Sequence, residues 1–169
     1  MTHAVTRLIL VLLLTAGAPI KVVWAEDDAI WHELFHAMRF SEVNRAQLER
    51  DCNENPLYSS NPRLKGLCAK RHLIPDGVIE EAALPYLKLH VTVLVAKEAI
   101  AKLTVEPATT LSRKLIAAIA SGRNDQFTPE ELVQLQRQNE TRYGLALRAF
   151  ATDREQGLAV ARAMLDYEP

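Results

Sequence analysis

The chain has 169 residues, 49% of them hydrophobic and 24% charged, and a formal net charge of −1. That balance fits one globular domain and excludes a disordered tail. It also excludes the strongly basic surface that nucleic-acid binding needs.

The first 25 residues read as a secretory signal segment. Arg7 supplies the positive start, and Leu8 to Leu14 form a short, wholly apolar run. Val23 and Ala25 place small residues where a signal peptidase reads, and Glu26, Asp27 and Asp28 follow. The apolar run is about 11 residues even if extended to Ala18. That is well short of the roughly 20 that a membrane span needs. The expectation is a domain of residues 26–169, periplasmic or secreted, with no stable membrane span after cleavage. Removing Arg7 and Lys21 with the signal leaves 18 basic against 21 acidic residues, a net charge of −3.

Helical periodicity dominates what remains. Ile30, Trp31, Leu34, Phe35 and Met38 share one helical face, and the pattern runs on to about Arg50. Ser41 looks like a fresh N-cap, so this first helix is expected to kink or break near Phe40. Asn61-Pro62 starts a short helix to about Lys70. Asp76 caps a long central helix from Gly77 to Leu103, with Pro85 as its expected kink. Within it, LKLHVTVLV (Leu87 to Val95) alternates with period two, as a strand would. A lone strand leaves its backbone groups unpaired, so the helix is preferred. Pro107 starts a helix that Gly122 stops. Thr128, Pro129 and Glu131 form a capping box with proline at N1, opening a helix expected to reach Ala151 with Gly144 as a weak point. Thr152 to Glu155 is a second capping box, for a last helix to about Leu165. The fold expected is all-α: a bundle of about five to six helices, mostly antiparallel.

Cys52 and Cys68 are the two cysteines. In an oxidising compartment such a pair forms a disulfide. Here it would staple a segment rich in asparagine and proline, which reads as a loose loop. Tyr58, at its middle, is placed for partner contact.

Residues 32–36 spell H-E-x-x-H: His32, Glu33, Leu34, Phe35 and His36. On a helix, histidines at i and i+4 lie one above the other and can share one zinc, with the glutamate activating the metal-bound water. A helical wheel puts His32 and His36 opposite the apolar stripe. The extended pattern with glycine and a third histidine is not met, because those positions hold Arg39 and Glu42. Glu42, His72, His90, Glu80 and Glu81 are further ligand candidates, none with diagnostic spacing. His90 reads as a satisfied core histidine. The run QLQRQNETR (Gln134 to Arg142) is polar and rich in donors, as a solvated helix face or a partner surface would be.

The segment FTPEELVQLQRQNETRYGLALRAF resembles an uncharacterised family of small exported helical proteins of proteobacteria. Phe127, Thr128, Glu131, Leu132, Gly144 and Leu147 carry the resemblance. It implies export and a helical fold, and it brings no catalytic residue.

Taken together, these features predict an exported interaction module without catalytic residues or cofactor. Its partner would be another exported or envelope protein, in an accessory, chaperone-like or toxin-inhibiting (immunity) role. The alternative is a small zinc metallopeptidase with Glu33 as its base and His32 and His36 as metal ligands.

Overall fold

The computed structural model describes residues 19–123 and 126–169, with side chains from residue 28 onward. Most of the expected signal segment lies outside the described residues. The described chain forms ten α-helices and one 3-10 turn, with no strand among them. They are α1 (Pro19–Met38), α2 (Phe40–Glu54), α3 (Pro56–Ser60), α4 (Pro62–Lys70), α5 (Asp76–His90), α6 (Val93–Leu103), α7 (Ala108–Ser121), α8 (Pro129–Asn139), α9 (Arg142–Ala151) and α10 (Arg154–Asp166). The 3-10 turn spans Arg71–Leu73.

The all-α class is as the periodicity indicated, but the helices outnumber the five to six expected. Four breaks account for the excess. The first helix ends at Arg39, whose backbone is left-handed (φ 53°, ψ 40°). Ser41 is not the cap; it is buried. The loose loop between the cysteines is two short helices, each opened by Asn-Pro. Asn55 accepts from the Leu57 N–H, and Asn61 accepts from the N–H groups of Arg63 and Leu64.

The central helix breaks at Val91 and Thr92, not at Pro85, which sits inside α5. Val91 is extended, and the Thr92 hydroxyl accepts from the Val95 N–H to cap α6. The β-branched run Val91-Thr92-Val93 is a poor helix interior, which gives the break its local cause. The helix after Pro129 also divides, with Thr141 capping α9 through the Gly144 N–H. A Cβ on Gly144 would lie 2.0 Å from the Gln138 carbonyl oxygen, so glycine permits this tight corner. The capping box at Thr128 and Glu131 and the stop at Gly122 (φ 66°) stand as the sequence indicated. The last cap falls on Asp153, one residue later than expected.

Burial follows the helical stripes. Trp31, Leu34 and Phe35 of α1 are buried together with Ile79, Ala83 and Leu87 of α5, Ala96 and Ala99 of α6, and Val160 of α10. The rings of Phe35, Phe40 and Phe150 lie 5.1 to 6.3 Å apart and join α1, α2 and α9. The closest helix pairings are α5 with α10, α1 with α6, and α2 with α7. A disulfide joins Cys52 of α2 to Cys68 of α4, with Cα atoms 5.7 Å apart. No described helix is long and apolar enough to cross a membrane.

Candidate functional site

The end of α1 presents two faces, as the wheel indicated. Trp31, Leu34 and Phe35 point into the core, while Glu33 and His36 are exposed. His32 lies between these extremes, its side chain 43% exposed against 6% for Glu80 beside it. The His32 Nδ1 is 3.0 Å from Glu80 Oε2. Glu80 Oε1 accepts the Ser41 hydroxyl at 3.3 Å. One buried carboxylate of α5 therefore ties α1 to α2. A carboxylate only accepts, so His32 donates from Nδ1, and in the neutral ring that makes this bond Nε2 is the nitrogen with the lone pair.

Such a histidine can accept a proton or ligate a metal, because its ring is fixed from behind by a carboxylate. Of the other ligand candidates, Glu42 and Glu80 line one small cavity with His36, and His72, His90 and Glu81 are not part of it. Glu42 pairs with Arg39, at 2.9 Å from Oε1 to Nε and 2.6 Å from Oε2 to Nη2. His90 is partly buried and lies 2.7 Å from Asp153, which lowers the Asp153 pKa. His72 is exposed in the 3-10 turn, and Glu81 is exposed on α5. Among the described residues, no three His, Cys, Asp or Glu side chains converge as a metal-holding group.

No protein-family model matches the chain, and no curated protein or solved structure matches it either. The chemistry must therefore be read from the chain itself.

The corner after His36 opens a cleft of about 340 Å³. His36 and Arg39 line it from the α1–α2 corner, Leu103 and Thr104 from the end of α6, and Ser112 and Arg113 from α7. Left-handed backbone costs an L-residue roughly 1–2 kcal/mol, so Arg39 occupies a strained position that glycine would fill freely. This left-handed residue separates α1 from α2, and its side chain lines the cleft. The Arg113 Nη2 donates to the Thr110 hydroxyl at 3.1 Å and lies 3.5 Å from Glu106. Hydrogen bonds from Thr109 and then Thr110 hold the Glu106 carboxyl below its ordinary pKa.

Sequence reasoning missed this cleft. Ser112 and Arg113 carry no motif, and only the arginine at a glycine position of the extended pattern hinted at the corner.

Tyr58, expected on a protruding loop, is half-buried. It lines a groove of about 230 Å³ with Leu64 and Leu67 of α4 and Val160, Met164 and Leu165 of α10. Burial and then the nearby Asp51 charge raise its pKa. Leu57 beside it is the exposed residue, at 64%.

Helix α8 differs from the others of its length. None of its residues is buried, and it packs chiefly against α9. Lys114 of α7 holds it through a bridge to Glu131 at 2.6 Å. Leu132 and Val133 remain 52% and 48% exposed.

Proposed function

We propose that this is an exported protein-binding module, released from residues 1–25 by signal cleavage, that engages another exported or envelope protein through α8. The observation that carries this reading is the exposure of α8. An 11-residue helix is marginal without tertiary packing, yet this one buries no residue and leaves Leu132 and Val133 open. Val133 lines a groove with Gln134, Arg137 and Gln138, and a part-apolar surface of that kind fits helix-mediated docking. The signal-like composition of the first 25 residues, the disulfide and the resemblance of the 127–150 segment support export. An accessory, chaperone-like or toxin-inhibiting role is compatible with such a surface.

Two measurements test it. Fractionation of the native host is expected to place a shortened chain outside the cytoplasm. A photo-cross-linking residue at Val133 is expected to yield a discrete adduct that Leu132→Glu abolishes and that the same probe at Leu158 does not give. A full-length cytoplasmic protein, or no adduct specific to Val133, overturns the proposal.

A zinc peptidase built on His32, Glu33 and His36 is the second reading. The fixing of His32 by Glu80 favours it. Protein purified without a histidine tag would then hold about one zinc per chain, and Glu33→Gln would abolish peptide hydrolysis while sparing metal content. Less than about 0.1 zinc per chain would end it.

A further inference from the structure

The cleft at the α1–α2 corner is lined by cations and hydroxyls, with no carboxylate among its lining residues. Arg39 lines it from the α1–α2 corner, Arg113 and Ser112 line it from α7, and His36 lines it from the end of α1. We propose that this cleft binds a small organic phosphate monoester, with Arg39, Arg113 and Ser112 holding the phosphoryl oxygens.

The donors suit that group. Glu42 engages Nε and Nη2 of Arg39, which fixes the guanidinium and leaves Nη1 for a ligand. Thr110 takes Nη2 of Arg113 and leaves Nη1 and Nε. Glu42 and Glu106 face these guanidiniums from outside the lining and orient them without filling the cleft.

Two guanidiniums that keep free N–H donors favour a group with several acceptor oxygens over a monocarboxylate. A phosphate monoester supplies three such oxygens. The size of the cleft, about 340 Å³, exceeds what a bare phosphate occupies. Leu103 and Ala37 give the remaining space an apolar wall for the organic part.

The test is calorimetric titration of the full-length purified protein with glycerol 3-phosphate, inorganic phosphate and glycerol. Glycerol 3-phosphate is expected to bind saturably, more tightly than inorganic phosphate, and glycerol is expected not to bind. Arg39→Gly relieves the left-handed backbone while removing the guanidinium, so it preserves the fold. It is expected to weaken binding roughly 10-fold or more, as is Arg113→Gln. Arg148→Gln, outside the cleft, leaves binding unchanged. Circular dichroism confirms that each variant is folded. Absence of saturable binding up to about 10 mM, or binding insensitive to both cleft variants, overturns the proposal. Equal affinity for inorganic phosphate overturns the monoester assignment.

Discussion

His32 and Glu80 stand 48 residues apart in sequence and 3.0 Å apart in space, and their contact is one side of a buried junction between α1, α2 and α5. Removing His32 leaves the Glu80 carboxylate with the Ser41 hydroxyl as its remaining partner. Unpaired buried charge is costly, and the partial exposure of His32 moderates the cost. His32→Ala is expected to destabilise by about 1–2 kcal/mol in urea unfolding. Adding Glu80→Leu to that variant is expected to recover part of the loss. A further loss in the double variant would show that Glu80 stabilises without its histidine.

Asp153 ties the end of α5 to the start of α10. Its Oδ2 meets His90, and its Oδ1 accepts the N–H groups of Glu155 and Gln156. The His90 hydrogen bond, then those backbone bonds, depress its pKa. A depressed carboxylate contributes stability that is complete above its unfolded pKa, near 4, and is lost as pH falls through the lower folded value. Asp153→Asn keeps a good cap but removes the charge. The stability gap between wild type and this variant is expected to be full above about pH 5 and to close on acidification. A gap constant down to pH 2 would contradict this.

The disulfide closes 16 residues of separation around α3 and α4. Constraining the unfolded chain over a loop of that size is worth about 3 kcal/mol. Cys52→Ser with Cys68→Ser is expected to lower the unfolding free energy by that order. Reductant is expected to do the same to the wild type and nothing to the double variant.

Two glycine substitutions should act in opposite directions. Gly144→Ala drives a Cβ to 2.0 Å from the Gln138 carbonyl oxygen and to 2.9 Å from the Asn139 Cα. Backbone cannot yield cheaply, so a loss of about 1–3 kcal/mol is expected. Gly157→Ala lies within α10 and meets nothing within 4 Å. It is expected to stabilise by about 0.5–1 kcal/mol through helix propensity. Thermal unfolding of the two variants checks both signs.

What the sequence revealed was local. The Thr128–Glu131 box and the Asn61-Pro62 cap depend on residues within one turn of each other, and both stand in the structure. The apolar face of WHELFH was also readable, because a single helix fixes which side chains share a side. LKLHVTVLV was ambiguous for a physical reason. Leu87, Val91 and Val95 are all buried at helical spacing, yet Val91 and Thr92 leave the helix between them. Each reading described part of the segment. The Glu80 partnership, the Arg39 turn and the Arg113 cleft depend on how distant helices cross. No spacing within the chain encodes them visibly.

Helix α5 is held differently from its neighbours. Glu80, in its second turn, meets α1 and α2, while His90, its last residue, meets the cap of α10. Ile79, Ala83 and Leu87 are buried along the face between those anchors. Its backbone amides are therefore expected to exchange with solvent deuterium only through global opening, long after those of the exposed α8.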